Sequence, residues 1–205
     1  MTDRERYDVA LSFWTTALQY LALVDNAARE TVSQGNTWVL LRDLPITADE
    51  YEEATRWSDH TIIMALLFSL FHGIELLAKG FLLAGSGEPV EKGHNPDKLR
   101  QKIEARYPNE TALIEFLCKY TSADHMPELL RRFMQDNGLN VERLYEALRY
   151  PSPDFVTIRR YSSLKYEGQE GTTFFADLHV DIELVRLAAV DLGRRLEPKL
   201  DPAGG

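Results

Sequence analysis

The sequence predicts an all-α protein, an antiparallel helical bundle, on three observations. Apolar residues recur at helical spacing over long stretches near both ends of the chain. The segment Trp57–Gly85, WSDHTIIMALLFSLFHGIELLAKGFLLAG, is apolar nearly all round, which is the pattern of a helix at the centre of a bundle. Between these stretches lie cap and breaker residues at intervals that suit helices joined by short connections.

The first helix is expected over Arg6–Ser33, where Tyr7, Leu11, Trp14, Leu18, Leu21, Ala28 and Val32 keep a 3-4 spacing broken once by Asp25. Gly35-Asn36 ends it, and Pro45 forbids a regular helix through the connector WVLLRDLPI. Thr47 and Glu50 form a capping box, each side chain reaching the other's backbone N–H. The region it opens either runs unbroken from Ala48 to Ala84 or breaks near Ser58–Asp59. GSGEPVEKG is a loop, after which Asn95-Pro96 supplies an N-cap and a first-turn proline for a helix to about Tyr107. Three further helices are expected over Glu110–Thr121, over Pro127–Asp136 with Asn137-Gly138 as its left-handed stop, and from the Asn140 cap to about Arg149.

Pro151 and Pro153 interrupt the chain there. Residues 154–175 read either as an irregular loop or as a small hairpin around Gly168–Gly171. The last helix shows unbroken 4-3-4-3-4 spacing through Leu178, Ile182, Val185, Ala189, Leu192 and Leu196. Asp177, His179, Asp181 and Glu183 fall at its start. Their two-residue steps diverge around a helix, so they predict an acidic first turn that suits the helix dipole rather than a metal site.

At 205 residues, one domain is expected over 1–199, with 200–205 as a flexible tail. A net charge of −9 argues against a whole-surface nucleic-acid binder, because neutralising phosphates needs a basic footprint, but leaves room for a local basic pocket. The lone Cys118 lies in an apolar run and reads as a small buried hydrophobe. No zinc spacing, glycine-rich phosphate loop or serine elbow is present, so neither a metal nor a cofactor is expected. The charged N-terminus lacks a secretory h-region, and the apolar run Thr61–Phe71 is short for a membrane span. A cytoplasmic protein without a membrane partner is the expectation.

Three constellations carry candidate chemistry. His72, Glu75 and Lys79 share one helix face that continues through Thr61 and Ala65. Its simpler reading is the solvent edge of the central helix with a Glu–Lys ion pair, and its functional reading is a polar seam facing a dimer partner or ligand pocket. His94, just before the Asn95 cap, joins this set, more readily as a brace for its loop than as a catalyst. Arg149, Tyr150, Arg159, Arg160, Tyr161 and Lys165 form a local basic-aromatic cluster, suited to phosphate contact with ring stacking, which Arg131 and Arg132 would extend if they lie close by. Arg56 and His60 suit metal-free RNA cleavage as a phosphate-binding cation and a general acid/base, although solvation of a helix turn beside Asp59 is the plainer account of both.

HGIELLAKGFLLAGSG, then GHNPDKLRQKI, then ALRYPSP about fifty residues on resemble the HEPN domain family, named for higher-eukaryote and prokaryote nucleotide-binding. Glu75 and Lys79 take the core-helix positions, Gly93-His94-Asn95 the helix start and Arg149-Tyr150-Pro151 the third motif, so the resemblance covers roughly residues 57–160. It implies an all-α bundle, a homodimer through the long helices, and work in defence, toxin–antitoxin or RNA-processing systems. Active members of that family are metal-independent ribonucleases with Arg-x(4–6)-His at the dimer interface. Here Arg56 and His60 have three residues between them, which puts both on one helix face and alters their relative direction. The resemblance therefore implies binding of nucleotide or RNA phosphate, or of a partner protein, without strong catalysis. A diverged ribonuclease and a purely structural interaction module are the alternatives.

Overall fold

The computed structural model describes residues 1–86, 94–150 and 158–198. Among them are eight α-helices and one short 3-10 turn, with no strand. The helices are α1 (Asp3–Ser33), α2 (Ala48–Thr55), α3 (Asp59–Ser86), α4 (Pro96–Arg106), α5 (Thr111–Thr121), α6 (Glu128–Asp136), α7 (Val141–Arg149) and α8 (Gly168–Arg195), with the turn at Tyr161–Leu164 before α8. The expected all-α bundle is what forms. Residues 87–93 of the expected loop, residues 151–157 with their two prolines, and residues 199–205 with the expected tail lie outside the described residues.

Local chemistry sets most boundaries. Thr2 and Glu5 make a capping box that starts α1 three residues earlier than the apolar spacing indicates. Gly35 and Asn36, at φ +66° and +51°, turn the chain out of it. The Thr47–Glu50 box, the Asn95–Pro96 start, the Asn140 cap and the left-handed Gly138 all stand where the sequence puts them. The helical region after Thr47 breaks, and Thr55 explains how. Its carbonyl accepts from Ser58 N, Ser58 Oγ and Thr61 Oγ1 at 2.8–3.0 Å, so the chain turns before α3 begins.

α1 and α3 pack antiparallel along most of their length, with Trp14 against Gly80 and Tyr20 and Leu21 against Gly73. α8 also lies antiparallel to α1, from Tyr7 against Gly193 to Asp25 against His179. α4 continues the circuit from α3, and α5 closes it between α4 and α8. α3 is the hub. Only Thr61 and Ala65 are exposed along Asp59–Gly85, while Leu67, Leu70, Phe71, Ile74, Leu77 and Phe81 are fully enclosed. By length and composition α3 is also apolar enough to cross a membrane, further than the Thr61–Phe71 run alone indicates.

Two expectations are corrected here. No hairpin forms around Gly168–Gly171, because those residues open α8. Asp177, His179, Asp181 and Glu183 therefore sit in the body of α8 rather than in its first turn. His179 Nδ1 lies 2.6 Å from the buried Asp25 of α1, and Asp181 takes Tyr120 OH at 2.7 Å and Lys119 at 2.6 Å. These carboxylates tie α8 to its neighbours, and among the described residues no group of His, Cys, Asp and Glu is arranged to hold a metal ion. Cys118 is half-buried with Arg100 turned toward its sulfur at 3.9 Å, less enclosed than its apolar run implies.

Candidate functional site

The site is built on α3. His72, Glu75 and Lys79 share a face, and the structure decides what that face meets. It starts in solvent at Thr61 and Ala65, then passes beneath α7. The solvent-edge reading of the Glu–Lys pair is overturned: the Glu75 and Lys79 side chains are 5% and 11% exposed and pair at 2.5 Å. His94, on the approach to α4, adds its Nδ1 at 2.8 and 3.0 Å from the two Glu75 oxygens. Burial works to raise the Glu75 carboxyl, but the hydrogen bonds from Lys79 and His94 outweigh it and hold the group below its ordinary range.

α7 forms the lid of this seam. The Tyr145 hydroxyl lies 3.1 Å from His72 Nδ1 and within reach of the Glu75 charge. Burial, reinforced by the Glu75 charge, pushes the phenol up to about 12, so it keeps its proton and acts as a donor. His72 is packed edge-on by Tyr20 at 4.8 Å and parallel to Phe68 at 6.0 Å. Burial lowers its proton affinity against the pull of Glu75, and Arg149, His94 and Lys79 lower it further. His94 remains half open to solvent, with its ring 5.6 Å from that of Tyr145.

One turn beyond Tyr145, Arg149 sits with its guanidinium 5.6 Å from the Tyr145 ring and 5.4 Å from the Tyr150 ring. It is exposed, and no carboxylate among the described residues pairs with it. Contrast Arg56 with Glu53, Arg100 with Asp97, Arg131 with Glu128 and Arg132 with Glu167.

The basic-aromatic cluster read from the sequence thus divides. Arg149 and Tyr150 join the α3–α7 seam. Arg159 is buried and donates to the Tyr150 carbonyl at 2.6 Å, while Tyr161 OH donates to the Ala147 carbonyl at 2.7 Å, so both brace the end of α7. Arg160 is exposed and is anchored through its backbone N–H to Asn137, and Lys165 follows the 3-10 turn. Arg132 does not extend the cluster, because Glu167 and Glu170 take its guanidinium.

Arg56 and His60 are engaged separately. Arg56 is exposed and turned to Glu53. His60 stacks on Tyr166 at 4.9 Å, with Nδ1 buried and unbonded. Asp59 between them is fully enclosed rather than part of a solvated turn. It accepts from Asn36 Nδ2 at 2.9 Å and from the backbone N–H groups of Tyr166 and Glu167 at 3.0 and 2.9 Å, tying α1, α3 and α8 together. Sequence reasoning missed Tyr145, although Tyr145 and Arg149 stand four apart on α7 and so share one face.

No family model, curated protein or solved structure matches the chain.

Proposed function

We propose that this is a HEPN-like helical protein that binds the phosphate of a nucleotide or RNA in the seam between α3 and α7, without strong catalysis. One observation carries the reading. An exposed guanidinium with no carboxylate partner among the described residues stands beside two tyrosine rings and two imidazoles, over a buried Glu75–Lys79 pair that cancels its own charge. Arginine offers a fork of donors that matches phosphate oxygens, and the rings beside it suit a base. The setting in a defence or stress system comes from the motif resemblance.

The test is binding of a fluorescent oligoribonucleotide, followed by anisotropy at two salt concentrations. Arg149→Ala is expected to weaken binding about tenfold or more, the value of a charge-assisted hydrogen bond to phosphate, and to flatten the salt dependence. Unchanged affinity in that variant removes the seam as the site. The ribonuclease alternative needs Arg56 and His60 to act together, and their separate engagements speak against it. Total RNA incubated with the protein in EDTA is expected to stay intact.

A second reading, contact with another protein or a second copy, is favoured by α8. Val180, Leu184 and Leu187 fall at i, i+4 and i+7 and are 52%, 54% and 72% exposed, an apolar ridge on the outer face of a long helix. Light scattering of the wild type and of Leu184→Glu with Leu187→Glu tests it, with a dimer that dissociates in the variant as the supporting outcome.

A further inference from the structure

We propose that the group seated in this seam is a terminal phosphate, the phosphomonoester of a mononucleotide or of an RNA 5′ end, in preference to a diester within a chain. This rests on the phosphate-binding reading above. The first argument is charge. Lys79 offsets Glu75, so among the described residues the open end of the seam carries the permanent charge of Arg149 and the imidazole of His94, which can add one more. A diester carries one negative charge, which Arg149 alone answers. A monoester carries close to two near neutral pH, its second ionisation lying at about 6, and gives the His94 imidazole a counter-charge. These groups act on one another directly: Arg149 and His94 both depress the proton affinity of His72.

The second argument is shape. Tyr145 and Tyr150 stand beside the Arg149 guanidinium, favouring approach along its N–H edge. At the inner end, His72 is walled by Tyr20 and Phe68. The open part of the seam is its Arg149–His94 end, which a terminal group can approach directly.

The third argument is proton placement. Among the described residues, Glu75 and His72 from α3 and Tyr145 from α7 face His94. With Nδ1–H held by Glu75, Nε2 is the remaining nitrogen, an acceptor when the ring is neutral and a donor to phosphate oxygen once it is protonated. Tautomer and charge are thereby linked to ligand binding.

The test compares two RNAs of one short sequence, 3′-labelled, with and without a 5′-phosphate, and in a second arm AMP against adenosine by thermal shift. The 5′-phosphate is expected to tighten binding about tenfold. Below about pH 6 that gain should fall as the monoester is protonated. Arg149→Ala should remove the gain. His94→Gln, which can still donate to Glu75, should keep the melting temperature and lose part of the gain. A thermal shift with AMP but no 5′-end effect identifies a mononucleotide as the source, and the reverse identifies an RNA end. Equal binding of both RNAs with no difference between AMP and adenosine overturns the terminal preference while leaving phosphate binding in place. If neither RNA nor AMP binds, the underlying reading falls and takes this one with it.

Discussion

Trp14 separates two glycines that a helix-propensity argument would treat alike. Ala is better than Gly in a helix interior by about 1 kcal/mol, so Gly80→Ala in α3 and Gly193→Ala in α8 each gain that much before packing is considered. A methyl at position 193 would find the Trp14 ring at 3.5 and 3.6 Å, ordinary contact. A methyl at position 80 would stand 2.6 Å from Trp14 Cδ1 and Nε1 and 3.0 Å from Phe13 Cβ. The indole has little room to withdraw: it is 4% exposed, with Tyr7 edge-on at 5.5 Å, Phe81 at 4.9 Å and Gly193 behind it. Overpacking of this kind costs about 1–3 kcal/mol and more where both elements are rigid. The steric term wins at position 80. Gly80→Ala should lose about 1–2 kcal/mol net, and Gly193→Ala should gain up to about 1 kcal/mol. Urea unfolding followed by circular dichroism measures both. Equal or greater stability in Gly80→Ala would show that α1 and α3 are not held at this spacing, and the packing of the bundle's largest interface would be wrong.

Asp59→Ala leaves two backbone N–H groups and the Asn36 amide without their acceptor in an enclosed junction, a loss of about 2–4 kcal/mol. For a chain of this size that is a fall of about 5–15 °C in melting temperature, with hydrogen-exchange protection lost first over Gly168–Thr173; unaltered protection there would refute the junction. Glu75 has a folded-state carboxyl held below its ordinary range, so its contribution is present above the unfolded value and disappears as pH falls through the folded one. Glu75→Gln should therefore cost about 2–3 kcal/mol near neutrality, and its deficit against the wild type should shrink in acid; a gap independent of pH would sink that account. Glu75→Leu with Lys79→Met replaces the buried pair by apolar groups and should leave stability unchanged or raised while phosphate binding weakens, read by thermal shift beside anisotropy.

Elements whose cause is local were legible. Thr47 with Glu50, Asn95 with Pro96, and Asn140 each hold their own helix's first N–H groups, so a window of a few residues contains the whole explanation. The start of α8 was not. Gly168, Gly171 and the two threonines that follow look like turn residues by propensity. Gly171 is there because Asn36 Nδ2 and Asp59 Oδ2 come within 2.7 and 3.0 Å of where a side chain would begin, and those partners are more than a hundred residues away. The same junction explains why the break before α3 stayed open in the sequence. The acceptor role of Asp59 depends on Tyr166 and Glu167, which no local pattern connects to it.

The candidate site shows the same division at finer grain. Helical spacing put His72, Glu75 and Lys79 on one face, but spacing says nothing about what lies opposite, and an i, i+4 Glu–Lys pair looks identical whether it faces water or another helix. The difference is physical. On a solvated face such a pair contributes about 0–1 kcal/mol. Beneath Tyr145 it must be desolvated, and an apolar pair of similar volume would serve the bundle as well or better. Stability alone therefore does not account for charge at this depth in so apolar a helix. What the charge does is visible in its neighbours. Glu75 fixes the Nδ1 of His94, while Lys79 balances Glu75 so that Arg149 is not neutralised from below. The arrangement leaves the Arg149 charge facing outward on an acidic molecule, and that is the property an anion would meet.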